Sequence, residues 1–532
     1  MPTERVGLAA RMNDSEPGAS SLFAPVAYAA WRSRVEAELG GESERLLLRT
    51  TLEGIELEPL YAADHVGAAV PQQRLTPASG GWRTWQELPV SAGAAGRVAL
   101  ARESERELGG VWLRVDDSAT AAQLAQILGS SLRGGEVDLA IEWVGEPLAG
   151  AALMIAAARE AGIGPERLRG CLGCDPLGSL ARRGTLSGAA CEQVVGAARW
   201  AAAHAPAVRA ALVSTAPYSD AGADAVQEIA FALATGAETL RWLLDAGFTP
   251  AAAAAQVLAS TTVGRDLYLQ VAKLRALRLT WGMLLASIDA PPDSMRLHAR
   301  TAWRTKGRLD PGTDLIRATI ETFAAVLGGC DDVTTSPLLD AEEALALGMP
   351  LGSATHLLLR EEVGLDRIAD AAGGSWYVES LTAQLARLAW EIFAGIERRG
   401  GMARELAVGA VAQRVAETAE RRRTALVDKK IPIVGVTIHP PKDPVPLPHR
   451  PLVVDERSST LAPADGDAPA MVPLTGGADS PATFAAAVDA AARGATAAAL
   501  AAAVSQGAAP LRAPALRAWR DAEPFESGER TA

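Results

Sequence analysis

An alternation of short apolar segments with long helical segments, starting near residue 108, most constrains how this chain folds. The predicted strands are Val111–Val115, Val137–Trp143, Arg169–Leu172, Ala211–Ser214, Thr239–Leu243, Met295–His298, Val333–Thr335 and Arg367–Ala369. Strands that alternate with helices in this way are typical of a (β/α)8 barrel. Periodicity alone also permits an open, doubly wound sheet.

The longest predicted helix spans Arg265–Ile288. Its apolar residues recur at intervals of three and four and form one continuous stripe, which predicts a helix packed against a core. They are Leu267, Val271, Leu274, Leu277, Trp281, Leu284 and Ile288. The basic residues of the same helix, Arg265, Lys273, Arg275 and Arg278, are interpreted as a solvated face.

One strand–turn–helix unit, Ala210–Gly236, has the strongest pattern. In a barrel the chemistry lies on the loops after the strands, and here that loop is Ser214–Asp220. It contains no His, Cys or Lys, and its acid–base side chains are Tyr218 and Asp220. The loop therefore predicts a site with little catalytic equipment.

The rest of the chain divides by composition. We predict an N-terminal arm at 1–107, a barrel with trailing helices at 108–438, a linker at 439–481 and an Ala-rich helical tail at 482–532. Within the arm, Tyr28–Leu39 is predicted as helix and Leu46–Tyr61 as extended chain. The linker assignment rests on Pro440–Pro481, which holds ten of the 32 prolines.

Charge and cysteine content exclude several classes of function. The 532 residues carry a net charge of −12 and no basic arm, which argues against nucleic-acid binding. Four cysteines make no disulfide framework in a chain this long and favour a reducing, cytoplasmic setting. The sequence shows no signal peptide pattern and no strongly apolar stretch of about 20 residues, so no membrane association is expected.

Several segments, in consistent order, carry a family resemblance. The two most specific are Gly373–Glu379 (GGSWYVE) and Gly400–Ala403 (GGMA). They are accompanied by Asp220–Ala223, Ala272–Arg278, Arg317–Gly329, Asp340–Leu347 and Ile433–Val436. Together these segments resemble the methylmalonyl-CoA mutase family of adenosylcobalamin-dependent carbon-skeleton mutases.

The resemblance implies a (β/α)8 barrel whose axis is threaded by a coenzyme A ester. It also implies a C-terminal cobalamin domain and the interconversion of succinyl-CoA and methylmalonyl-CoA. Both ends of the chain look like the small subunit of the heterodimeric mutases, through Glu53–Ile55, Pro59–Tyr61 and Ala522–Glu526. In that family the small subunit is a diverged, non-catalytic copy of the large one.

The resemblance also shows where this chain departs from active members. Their Ser-Gly-Tyr-His loop becomes Ser214–Pro217, so Pro217 replaces the His that hydrogen-bonds the thioester carbonyl. Proline has no side-chain hydrogen-bonding group and no backbone N–H. Gly173 stands for one substrate-contacting Gln and Arg300 for another, and the His-Thr-Asn motif becomes Thr334–Ser336. The Arg and aromatic cluster that contacts cofactor and CoA is reduced to Trp82 and Arg83.

The cobalamin-binding signature of the family is Asp-x-His-x-x-Gly. None of the six histidines in this chain has an Asp two residues before it. They are His65, His204, His298, His356, His439 and His449. We therefore expect this chain to bind no cofactor, and adenosylcobalamin to be held by a partner subunit.

Three further residues or pairs have competing interpretations. Cys171 and Cys174 resemble half of a metal or redox site, but no second pair follows, so two buried small residues are predicted. His298, like Ser214, is either a relic of CoA contact or a core residue, and the core role is favoured. Arg300 either binds a phosphate or carboxylate of a ligand or pairs with a carboxylate such as Asp175 and plugs the barrel. Pairing is favoured.

The sequence thus predicts a non-catalytic small subunit of a methylmalonyl-CoA mutase, with no catalytic or metal-binding residues of its own. Its partner would be a catalytic, cobalamin-bearing homologue, and the acyl-CoA would be the substrate of the complex. The alternative is the barrel subunit of a split acyl-CoA mutase that works with a separate cobalamin-binding chain. A third hypothesis is a CoA-ester-binding regulatory protein.

Overall fold

The computed structural model describes residues 26–40, 47–65, 81–103, 108–129, 137–336, 338, 342–442 and 477–526. The chain divides into two compact units, residues 1–65 and 66–532. The first unit contains helix α1 (Tyr28–Glu38) and a two-stranded antiparallel sheet of β1 (Arg49–Thr50) and β2 (Glu56–Leu57). The predicted helix is present, and the segment predicted as extended contains these two short strands; its first residue, Leu46, lies outside the described residues.

The second unit is built on a closed barrel of eight parallel strands. In the order in which they pair around the barrel, they are β3 (Arg83–Pro89), β4 (Leu108–Val115), β5 (Asp138–Trp143), β6 (Gly170–Cys174), β8 (Val208–Ser214), β9 (Val257–Val263), β10 (Arg296–Thr301) and β11 (Asp332–Thr334). The predicted (β/α)8 barrel is confirmed, and the open sheet is excluded.

Two of the predicted strands are wrong. Thr239–Leu243 lies inside a long helix, and Arg367–Ala369 falls at the end of a 3-10 turn and beyond it. Their places in the barrel are taken by β9 and β3. Because β3 belongs to the barrel, the barrel begins before residue 108, inside the region that composition assigned to the arm.

Both missed strands have a physical explanation. Strand β9 reads VLASTTV and is buried along its whole length, so small residues replace the bulky apolar ones that signal a strand. Strand β3 reads RTWQELP, and its alternate residues Arg83, Trp85 and Glu87 face the barrel interior. Charged inward-facing residues hide the apolar pattern that would reveal a buried strand.

Helices surround the barrel. They are α2 (Gly93–Glu103), α3 (Ala121–Leu128), α4 (Pro147–Glu160), α5 (Pro176–Arg183), α6 (Ala190–His204), α7 (Ala216–Asp220), α8 (Ala225–Asp245), α9 (Pro250–Ala255), α10 (Leu267–Ala286), α11 (Pro311–Leu327), α12 (Glu342–Leu357), α13 (Trp376–Arg398), α14 (Met402–Ala407) and α15 (Ala410–Val427). The predicted helix Arg265–Ile288 corresponds to α10. The predicted loop Ser214–Asp220 is shorter than expected, because α7 begins within it with Pro217 in its first turn.

Side-chain caps start several of these helices. Thr120 and Asp224 each form a capping box, with Gln123 and Gln227 respectively. Ser375 caps α13, accepting from the backbone N–H of Val378. Such caps satisfy the free N–H groups at the first turn of a helix.

The basic residues of α10 are not a solvated face. Lys273 is 1% exposed and donates to Glu228 at 3.1 Å, and Arg275 binds Glu379 at 2.6 Å and also binds Asp370. Helix α10 packs against α8, α11 and α13. Its polar side is buried beneath neighbouring helices, so its charges are paired there.

The C-terminal residues pack onto the barrel unit. Helices α16 (Pro481–Ala492) and α17 (Ala497–Val504) contact α4, and α16 also contacts α6. Strand β12 (Pro510–Arg512) pairs with β7 (Thr185–Ser187), which lies outside the barrel sheet. The chain then continues through residues 513–526, here called the strap, which ends in the short helix α18 (Glu523–Glu526). Most of the predicted Pro-rich linker, residues 443–476, lies outside the described residues.

In the part of the chain that the structure describes, no helix is both long and apolar enough to cross a membrane.

The packing of α16 predicts that the Ala-rich tail contributes to the stability of the barrel unit. Phe484 is fully buried, and its ring lies 5.0 Å from that of Trp200. Phe484→Ala should lower the free energy of unfolding by about 3–4 kcal/mol, because it opens a cavity in a packed interface. Urea denaturation would measure this loss. Val408→Ala, at a side chain that is 66% exposed, should change stability by no more than about 0.5 kcal/mol. Equal effects of the two variants would contradict the packing.

Candidate functional site at the barrel mouth

The barrel interior is filled by three layers of side chains that alternate along the strands. Inward-facing residues of a barrel strand recur every second position, and residues of neighbouring strands meet in layers. In β3, the members of the three layers are Arg83, Trp85 and Glu87, from the amino-terminal to the carboxyl-terminal end. In β10 they are Arg296, His298 and Arg300.

The lower layer is an ion-pair network. Asp138 and Asp332 are fully buried. Arg83 reaches both, at 2.6 and 2.9 Å, and Arg296 reaches both, at 2.9 and 2.7 Å. Arg169 adds a contact to Asp138 at 3.1 Å. Charges from four strands thus meet across the amino-terminal end of the barrel.

The middle layer is aromatic. Trp85 and Trp112 form one buried cluster with Ala140, Cys171, Leu212 and Leu258, so residues from six strands touch in the centre. The imidazole of His298 stacks on the Trp112 indole, with ring centroids 4.5 Å apart. Its two nitrogens contact the hydroxyl groups of Ser260 at 3.0 Å and Thr334 at 2.9 Å. Burial lowers the pKa of His298 to about 3, so it is neutral.

The upper layer is a chain of alternating charges at the carboxyl ends of the strands. Arg114 contacts Glu87 at 2.7 Å, and Arg300 contacts Glu87 at 3.4 Å and Glu142 at 2.9 Å. Arg182 contacts Glu142 at 3.1 Å and approaches Asp220 to 3.9 Å. These six groups, three arginines and three carboxylates, span the barrel mouth.

The pKa values of Glu142 and Asp220, two carboxylates of the upper layer, are shifted in opposite directions. Burial by itself would raise the pKa of Glu142, but Arg300 and Arg182 outweigh it and hold that pKa well below its usual range. Burial raises the pKa of Asp220 to about 6, because its nearest cation is distant. Asp220 is therefore the least compensated of the three carboxylates in this layer.

A cavity of about 220 Å³ lies over the upper layer. The six charged groups of the upper layer form part of its lining, and apolar walls come from Val115, Val144 and Leu338. The strap contributes Leu516 and Ala518. Asp521 fixes the strap there by binding Arg304 at 2.5 Å and Arg265 at 2.9 Å. In addition, the backbone N–H of Trp519 donates a hydrogen bond to the backbone carbonyl of Asp220.

The sequence-predicted residues converge on this end of the barrel in two groups. Gly173, Ser214 and Pro217 line a void of about 20 Å³, and Pro217 and Arg300 also line the larger cavity. His298 and Thr334 lie one layer deeper and are hydrogen-bonded to each other. The favoured interpretation of His298 as a satisfied core residue is thus consistent with its two hydrogen bonds and its burial.

Gly173 occupies a position where a longer side chain does not fit. Its φ is 69°, and a Cβ atom built on it would lie 1.8 Å from the Ile141 carbonyl oxygen. Only glycine adopts such a conformation without strain. At this position, where the resemblance implies a Gln in active members, the local backbone course excludes a side chain.

Arg300 pairs with carboxylates, as the favoured interpretation predicts, but Asp175, the example given, is not among them. Arg300 binds Glu142 and Glu87, whereas Asp175 caps α5 by accepting from the Gly178 N–H at 2.8 Å. A residue directly after a strand and before a helix is used as a cap, while carboxylates within strands face the barrel axis. Cys171 and Cys174 are buried as predicted, and burial raises the pKa of both thiols.

Several site residues escaped the sequence interpretation. Trp85, Trp112, Glu87 and Glu142 all lie on barrel strands and point inward. Arg83, Trp85 and Glu87 alternate with a period of two, as in a strand. This pattern can be recognised as inward-facing only when the segment is known to be a barrel strand.

The residues at the mouth do not fit a cobalamin. A corrinoid is far larger than the 220 Å³ cavity, which is below the roughly 300–1,000 Å³ of ordinary small-molecule pockets. None of the described residues lining it is a histidine. No group of His, Cys, Asp or Glu suited to a metal ion occurs among the described residues either.

The uncompensated burial of Asp220 predicts a pH-dependent stability. Its pKa is higher in the folded protein than in the unfolded chain, so its contribution favours folding at low pH and is lost as the pH rises from about 4 to 6. Asp220→Asn should therefore stabilise the protein relative to wild type at pH 7.5 more than at pH 4. The expected difference is about 2 kcal/mol, reduced from the full shift because the side chain is 18% exposed.

Denaturation of both proteins at the two pH values measures this difference. Asp489→Asn, at a carboxylate that is 62% exposed, serves as the control and should show a smaller pH effect. A stabilisation by Asp220→Asn that is larger at pH 4 would contradict the assignment.

Comparison with known proteins agrees with the family resemblance. A family model described as methylmalonyl-CoA mutase matches residues 125–507. The methylmalonyl-CoA mutase small subunit of Streptomyces virginiae is 34% identical over 445 residues, which cover 79% of this chain and 71% of that protein.

Two further relatives match shorter regions. The small subunit from Propionibacterium freudenreichii subsp. shermanii is 36% identical over 279 residues, covering 51% of this chain and 42% of that protein. The methylmalonyl-CoA mutase of Cereibacter sphaeroides is 36% identical over 225 residues, covering 41% of this chain and 31% of that protein. The matched region thus spans less than half the length of these two relatives. With a family model that matches well over half of the chain and a relative similar over most of its length, the chain belongs to the methylmalonyl-CoA mutase family.

Proposed function

We propose that this chain is the small, non-catalytic subunit of an adenosylcobalamin-dependent methylmalonyl-CoA mutase. It pairs with a catalytic homologue that carries the cobalamin and binds the acyl-CoA, and it stabilises that homologue in the cytoplasm. Relatives named as small subunits, similar over most of this chain, support the pairing.

The observation that carries the proposal is the filled barrel axis. The resemblance implies that a CoA ester threads this axis in active members. Here Trp85, Trp112 and His298 occupy its centre, and the Arg300–Glu142 pair lies directly above them. Admitting a pantetheine arm would require moving two buried indoles and breaking a buried ion pair. Breaking such a pair by removing one partner typically costs about 3–5 kcal/mol.

The chemistry at the mouth supports the same conclusion. Pro217 has no group with which to polarise a thioester carbonyl. Arg300 is held by two carboxylates, and the only imidazole in the middle layer, among the described residues, has both nitrogens engaged. The imidazole and the guanidinium that could polarise a thioester carbonyl are therefore both engaged by groups of the protein itself.

Co-expression with a catalytic mutase chain from the same host tests the proposal. We expect a stable one-to-one complex by size-exclusion chromatography, and a higher melting temperature or yield for the catalytic chain than when it is expressed alone. Mutase turnover should be unchanged within about twofold by Ser336→Ala in this chain, because Ser336 lines a mouth that takes no part in the reaction.

The opposing outcomes are distinct. Failure to form any complex would refute the supporting role. Turnover of acyl-CoA by this chain with adenosylcobalamin and a separate cobalamin-binding chain would establish the split-mutase alternative. Calorimetry with CoA alone should show no binding heat; saturable heat would favour a CoA-binding regulatory protein.

A further inference from the structure

We propose that the mouth cavity of this chain is a binding site for a small primary ammonium compound, whose nitrogen lies against Asp220. The site is separate from the supporting role proposed above and does not depend on it.

The unmatched acceptor is the Asp220 carboxylate. Its Oδ1 is buried and accepts no hydrogen bond from the described residues, and its Oδ2 lies 3.9 Å from the Arg182 guanidinium. The other two carboxylates of the mouth each have at least two hydrogen-bonding or ion-pair partners. Glu142 receives Arg300, Arg182 and the Trp112 indole N–H, and Glu87 receives Arg114 and Arg300.

A ligand cation binds with a more favourable free energy here than it would at the protein surface. Removing a carboxylate from water is costly, and the fold has already borne that cost at Asp220. An ammonium group placed on Oδ2, the carboxylate oxygen that is not enclosed by protein atoms, adds a charge-assisted hydrogen bond and leaves Oδ1 in its buried position. The charged groups that face Asp220 are Arg182, Arg300, Arg304 and Glu142, and with its raised pKa of about 6 it is ionised at pH 7.5.

The same lining discriminates against anions. Arg114, Arg182 and Arg300 each lie against a carboxylate, so a ligand carboxylate would have to displace Glu87 or Glu142 from a buried pair. It would also approach the uncompensated Asp220. The site therefore favours a ligand that donates hydrogen bonds over one that accepts them, unlike a pocket that binds a carboxylic acid.

The cavity also limits the size and shape of the ligand. Its volume of about 220 Å³ suits a fragment-sized molecule, and Val115, Val144, Leu338 and Leu516 provide apolar contact for a short carbon chain. A primary amine with about five carbons satisfies both the acceptor and these walls.

Isothermal titration calorimetry at pH 7.5 with three probes of matched chain length tests the site. The probes are pentylammonium chloride, 1-pentanol and sodium pentanoate, titrated into the full-length protein. We expect saturable binding of pentylammonium, at least tenfold weaker binding of 1-pentanol, and no binding of pentanoate.

Variants locate the binding. Asp220→Asn should weaken pentylammonium at least tenfold, and Asp489→Asn, outside the cavity, should leave it unchanged. Ala518→Lys in the strap provides a second test that keeps Asp220: its own ammonium would occupy the cavity, and binding should be lost. Thermal melts establish that each variant is folded.

Three results would overturn the proposal. They are absence of saturable heat with pentylammonium, equal affinity in wild type and Asp220→Asn, and binding of 1-pentanol or pentanoate as tight as that of pentylammonium.

Discussion

The buried contact between Arg300 and Glu142 is the interaction on which the barrel mouth depends. It joins opposite sides of the closed sheet, since Arg300 lies on β10 and Glu142 on β5. Each side chain is only 11% exposed, so loss of either group would leave the other as a largely buried charge with fewer partners. The pair also fixes the layer beneath it, because Glu142 accepts from the Trp112 indole and Arg300 lies over the same ring at 5.7 Å.

The layers below this contact are packed against it one after another. Trp112 is held by Glu142 from above, and Trp85 is held from below by a 2.8 Å hydrogen bond to Asp332. His298 stacks between these constraints with both nitrogens satisfied. Two ionic layers thus enclose an aromatic layer, and each layer orients the next. This packing makes the barrel axis a core of side chains.

The strap gives the mouth its remaining boundary. Asp521 lies between Arg304 and Arg265, and these cations hold its pKa below its usual range, at about 2, although burial alone would raise it. The contact therefore keeps its charge over the whole physiological pH range. Asp220, a few ångströms from Arg182, has no comparable partner. The contrast between these two aspartates separates a carboxylate that fastens the structure from one that remains available to a ligand.

Periodicity and motifs determined the fold class and the family, because the apolar spacing of α10, the strand–turn–helix unit at Ala210–Gly236 and segments such as Gly373–Glu379 are local in sequence. The motifs also singled out Gly173, Ser214, Pro217 and Arg300, which lie at one end of the barrel because the carboxyl ends of parallel strands share an edge. What only the tertiary structure decided is which charges meet. Strand β3 looks polar in sequence because Arg83 and Glu87 are neutralised by residues far away in the chain, and the basic residues of α10 look solvated because their partners lie on other helices. Pairing across a closed barrel depends on register and layer, which no local pattern encodes, and that pairing is what fills the axis and leaves Asp220 unmatched.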